Sequence, residues 1–93
     1  MQLEKLIDAA AAIAGSQSKL ARILETDANI VTAWKTGRRT CSAEDRALLA
    51  DVAGVDPIAE IVEALLERVE GKPKAERLRK VLDLSQHGDW RKR

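Results

Sequence analysis

The chain has 93 residues, with 16 basic and 15 acidic side chains and a formal net charge of +1. That length supports one core with little apolar area to spare. The single cysteine, Cys41, excludes an intramolecular disulfide framework and a cysteine-based zinc cluster. The opening MQLEKLIDAAAAIAG lacks the basic start and unbroken apolar run of a signal peptide, and no stretch reaches the roughly 20 apolar residues of a membrane span. A soluble intracellular protein is expected, with no membrane partner.

The near-neutral total hides an uneven distribution. Residues 15–42 carry five basic side chains against two acidic ones, a balance of +3. Residues 56–70 carry five acids against Arg68, a balance of −4. From Lys72 onward eight basic residues face three acids, a balance of +5. The apolar content is almost entirely Leu, Ile, Val and Ala, with no Phe or Tyr and only Trp34 and Trp90 as aromatics, which favours helix over sheet.

Glycine and proline punctuate the chain as helix ends and starts do. Gly15, Gly37, Gly54 and Gly71 each follow an apolar-periodic run, and Pro57 and Pro73 sit just inside the next one. Six helices are expected, at about 2–14, 17–24, 28–36, 43–53, 57–70 and 73–84, and no strand. The first places Leu3, Leu6, Ile7, Ala10, Ile13 and Ala14 on one face. Leu20 and Leu24 point inward from the second, and Val31 and Trp34 from the third, with Ala21 small where the two cross. Asp27 stands at the N-cap of the third helix.

The fourth helix opens with Ser42 and Asp45, a variant of the capping box, and is expected to bury Leu48 and Val52, with Leu49 widening the stripe. The fifth lines up Ile58, Ile61, Val62, Leu65 and Val69 opposite an acidic face of Glu60, Glu63, Glu67 and Glu70 that reads as solvated. The sixth offers Leu78, Val81 and Leu82. The end, SQHGDWRKR, has no helical stripe.

Two short helices joined by a tight break and followed at once by Gly37, Arg38 and Arg39 suit a helix presented to a DNA groove. The pattern Gln17-x3-Ala21-x9-Val31-x2-Trp34-x2-Gly37 resembles the Cro/C1-type helix-turn-helix family of phage repressors and their bacterial relatives, over roughly residues 3–56. Glu25 departs from it: the family usually has glycine there, because the position tends to be left-handed, and a glutamate would be strained by about 1–2 kcal/mol. The segment Gly54-Val55-Asp56-Pro57 with a further helix is similar to small regulators of filamentous phages and prophages.

The resemblance implies an all-α fold: a five-helix lambda-repressor-like DNA-binding domain with an additional C-terminal helix. In that division, residues 1–56 form the helix-turn-helix core, 57–84 complete it and dimerise, and 85–93 are a flexible basic tail, the whole being one compact domain. It also implies that Ala28, Asn29, Thr32 and Ala33 read bases, Asn29 foremost because its amide matches adenine N7 and N6. Gln17, Lys35, Thr36, Arg38 and Arg39 would hold phosphates, Gln17 also docking the third helix. With so few long polar side chains on the reading face, part of the specificity would come from DNA shape.

The fifth and sixth helices carry more apolar surface than such a unit needs, so Leu65, Leu66, Val69, Leu78, Val81 and Leu82 are assigned to a homodimer. Glu63, Glu67 and Glu70 could then face Lys74, Arg77 and Lys80 within one chain or across two. The expected function is a transcriptional regulator, a repressor of phage or prophage type binding an inverted repeat of double-stranded DNA, located in the bacterial cytoplasm and on the nucleoid when bound. The alternative class is a protein-interaction module, such as an antitoxin or an anti-repressor target, with a regulatory protein as partner. No cofactor and no metal site is expected, and no enzyme: His87 has no ligand-spaced partner and Cys41 no neighbouring base to activate it.

Overall fold

The computed structural model describes residues 1–86, with side chains through Leu82. His87, Trp90 and the tail Arg91-Lys92-Arg93 lie outside the described residues. The chain is all-helical over that range, in the order α1 (Leu3–Ala14), α2 (Gln17–Ile23), α3 (Ala28–Lys35), α4 (Ala43–Ala53), α5 (Pro57–Arg68) and α6 (Lys74–Gln86). No described helix is long and apolar enough to cross a membrane. The chain divides into two compact units, Met1–Ile61 and the remainder from Val62, so the division falls inside α5.

Local chemistry accounts for where the helices start and stop. Ser16, Asp27 and Ser42 each accept from the backbone N–H three residues on, at 3.1 Å, and so satisfy one free amide at the heads of α2, α3 and α4. Ser42 and Asp45 do not form a complete capping box. The Asp45 carboxylate accepts from the Ser42 hydroxyl at 3.0 Å rather than from its backbone amide, as its short side chain dictates. Asp56 accepts from Ile58 N–H at 3.0 Å ahead of α5, where Pro57 has no N–H to satisfy.

Helices α2, α3 and α4 end in the same two-bond closure. In α2, Glu25 N–H donates to Arg22 O and Thr26 N–H to Ala21 O; Gly37 with Arg38, and Gly54 with Val55, repeat the pair after α3 and α4. This closure needs a left-handed residue just past the helix. Gly37 and Gly54 supply it at φ 80° and 77°, whereas Glu25 adopts φ 56° with a side chain in place. Glu25→Gly is therefore expected to relieve about 1–2 kcal/mol of strain while returning about 0.4–1 kcal/mol to the unfolded chain, a net gain near 0.5–1 kcal/mol. Thermal melts should show a midpoint several degrees higher, while Glu25→Ala, which keeps the strain, should show no such rise.

The core of the N-terminal unit is built from Leu6, Ile7 and Ala10 of α1, Leu20, Ala21 and Leu24 from α2 and its end, Val31 and Trp34 of α3, Cys41, and Leu49 and Ala50 of α4. Helix α1 packs on α2, α3 and α4, and α2 packs on α3. Every inward residue expected in α2 and α3 is buried. Ile13 is not; it stands 65% exposed at the flank of α1, while Ala14 beside it packs on the core.

Helix α4 is rotated from the face expected of it. Leu49 and Ala50 are buried, Val52 lies at the core edge, and Leu48 is 49% exposed. The buried stripe runs through Arg46, Leu49, Ala50 and Ala53, a helical i, i+3, i+4, i+7 set that includes a charge. Arg46 can be there because Glu60 meets it: Arg46 Nε donates to Glu60 Oε1 at 3.2 Å, and Arg46 Nη2 donates to Met1 O at 3.2 Å. The Met1 amine donates to Glu60 Oε2, also at 3.2 Å.

The solvated reading of the acidic face of α5 is corrected at its first turn. Glu60 is buried, and Ile58, expected inside, is 59% exposed. The ion pair turns the charged flank of α5 inward there and the apolar flank outward. In the C-terminal unit Leu65, Leu66, Val69, Leu78 and Leu82 are half-buried and Val81 is exposed.

Candidate nucleic-acid interface

Between α2 and α3 lie four residues, Leu24 to Asp27. A break this short forces two short helices to cross steeply, and the side chains at the crossing decide whether they can. Ala21, 2% exposed, leaves room for the approach. Gln17 then fastens the two helices. Its Nε2 donates to Thr32 Oγ1 at 2.6 Å and to Ala28 O at 3.4 Å, and the Thr32 hydroxyl donates onward to Ala28 O at 3.0 Å.

This chain of bonds spends groups that the sequence suggested for DNA. The docking role expected of Gln17 is present, but both its side-chain amide hydrogens are engaged, leaving no side-chain donor for a phosphate. Thr32 is half-buried with its hydroxyl committed, so what it has left for a groove is its methyl group. Ala28 is half-buried and Asn29 is exposed. Ala33, expected on the outer face, is 6% exposed. The chain past Gly37 turns back at this point, with Arg38 and Arg39 N–H donating to Ala33 O at 2.9 and 3.2 Å. Of the four residues assigned to base reading, Asn29 alone combines exposure with an uncommitted polar side chain.

The basic residues divide in two. Lys35 Nζ lies 2.6 Å from Asp8 Oδ1, tying the last turn of α3 to α1, and this hydrogen bond raises the Lys35 ammonium above its ordinary pKa. Arg38 and Arg39 are exposed, and neither has an ion pair among the described residues. Thr36 bonds back to Thr32 O at 3.0 Å and accepts from Arg38 Nε at 3.3 Å, so it orients Arg38 as well as closing α3. The pairing of Lys35 joins residues 27 apart, and periodicity carries no signal for it. Ser16, the cap of α2, was legible as a serine directly ahead of a helical run.

Cys41 offers no chemistry beside this surface. Burial pushes its thiol up to about 12, with the Asp45 charge adding to the shift, so it stays protonated at neutral pH and is a poor nucleophile. No family model, curated protein or solved structure matches this chain. What the surface can do is set by its own geometry: a short helix with one free amide side chain, flanked by two open arginines.

Proposed function

We propose that the protein is a sequence-specific DNA-binding transcriptional regulator whose α3 enters the major groove. The observation that carries this reading is the fastened pair of short helices, which holds exposed Asn29 at the front of α3 and exposed Arg38 and Arg39 just past its end. An amide can bond both N6 and N7 of adenine, and guanidinium groups on a following loop suit phosphates. With Lys35 paired to Asp8 and the Gln17 side chain spent on docking, Arg38 and Arg39 are the assigned phosphate residues whose charges stand unpaired among the described residues. The base code is correspondingly sparse, so DNA shape contributes to site choice.

The resemblance to Cro/C1-type repressors supports a lambda-repressor-like arrangement of the first five helices, and a phage or prophage-type repressor acting in the bacterial cytoplasm. A binding protein rather than an enzyme is the reading, in keeping with the protonated, buried Cys41 thiol. A homodimer on an inverted repeat fits the apolar residues that α5 and α6 leave uncovered, Val81 at 39% exposure among them. The same surface favours the second class, a protein-interaction module with a regulatory protein as its partner.

Selection from a random duplex library tests the reading, and an enriched inverted repeat is expected. Against that site Asn29→Ala should cost about 1–3 kcal/mol and relax one base position, whereas Arg38→Ala should weaken all sequences alike and lower the salt slope by about 1. Absence of enrichment, or an Asn29→Ala variant indistinguishable from the parent, would remove α3 as the reading helix.

A further inference from the structure

The unit that holds the helix pair is poorly charged for a DNA ligand. Residues 1–61 contain seven basic and nine acidic side chains, a net −2, and one of the seven, Lys35, is held by Asp8 while another, Arg46, is buried on Glu60. Residues 62–93 contain nine basic and six acidic side chains, a net +3. Within them, Lys72, Lys74, Arg77, Arg79 and Lys80 face only Glu76 over nine residues. All five are exposed, and none has an ion pair among the described residues.

The placement on α6 is ordered. Lys74, Arg77 and Lys80 recur every third residue and share one flank of the helix, beside the half-buried Ala75, Leu78 and Leu82. They span about 9 Å along its axis, a length over which duplex DNA carries about five phosphate charges. Affinity for DNA rises with the number of phosphates neutralised, and these cations would add to the grip of Arg38 and Arg39.

We propose that α6 is a second, sequence-independent DNA-contacting element, in which Lys74, Arg77 and Lys80, with Lys72 ahead of them, bind backbone phosphates of duplex DNA. This rests on the DNA-binding reading for its partner, and it assigns to α6 affinity rather than choice of sequence. The bonds are charge-assisted contacts to phosphate oxygens, and their number is what salt dependence measures.

The test is a salt titration of binding with the full chain, the selected site and a random duplex being measured side by side. The variant Lys74→Gln/Arg77→Gln/Lys80→Gln should lower the slope of log affinity against log salt by about 3, so that the loss of affinity between about 50 and 200 mM salt shrinks about fortyfold, while Arg79→Gln, on the other flank, should leave it unchanged. Both duplexes should weaken by the same factor in the triple variant. Lys74→Gln alone should lower the slope by about 0.9, a result that stands even if the triple variant loses its helical circular dichroism. Unchanged slopes in folded triple and Lys74→Gln variants that still bind would overturn the role of α6. A slope reduced on random duplex, with no sequence enriched and Asn29→Ala silent, would uphold α6 and remove the reading helix. A wild-type chain that binds no duplex would overturn both.

Discussion

Glu60→Ala is expected to destabilise the protein by about 3–5 kcal/mol, because it takes from a buried guanidinium the carboxylate that accepts from its Nε. The Arg46 side chain is 4% exposed and that of Glu60 6% exposed, so water cannot replace the lost carboxylate without opening the packing of α4. Arg46 keeps its bond to Met1 O, which places the expected loss toward the lower end. A small domain has about 5–15 kcal/mol in total, and each kcal/mol moves the midpoint of such a chain by about 4–8 °C, so thermal melts should fall by well over ten degrees. The double variant Arg46→Met/Glu60→Leu separates charge from packing. A buried pair replaced by apolar residues of similar volume is often neutral or stabilising, so the double variant should melt near the parent. A Glu60→Ala midpoint within a degree or two of the parent would mean that the pair is not buried as described.

The same pair marks where the sequence stops being legible. Helix existence and limits follow from glycine, proline and caps acting locally, and all six helices lie within two residues of their expected bounds. The inward set Leu20, Ala21, Leu24, Val31 and Trp34 follows from helical period alone, and the left-handed Glu25 from the resemblance to a family with glycine at that position. Hydropathy treats every charge as solvent-seeking, so it leaves Arg46 off the buried stripe and turns α4 toward Leu48. Only a partner 14 residues away reverses that, and no local pattern names it. The surroundings of Lys35 and Ala33 are illegible for a related reason: Asp8 and the returning chain at Arg38 reach them from other turns of the fold. At the candidate interface the helix pair was legible, and the inventory of free donors was not.

Trp34→Ala is the second large effect, an expected loss of about 3–5 kcal/mol from the cavity left by a buried indole. Trp34 is 5% exposed and packs in the core with Val31, Leu20 and Leu24, so its truncation loosens the contact that seats α3. Two roles predict different outcomes. If the indole stacked on bases, Trp34→Ala would melt like the parent and lose DNA; as a core residue it should unfold in less urea, by circular dichroism, and bind DNA in proportion to the fraction still folded. Trp34→Phe keeps most of the apolar volume and should recover both stability and binding in part. Asn29→Ala completes the contrast, because an exposed side chain with no intramolecular bond can be removed with a change in stability of no more than about 0.5 kcal/mol. A pair of variants five residues apart on one helix would then divide the work of α3, with Trp34 moving the urea midpoint and Asn29 moving the preferred base.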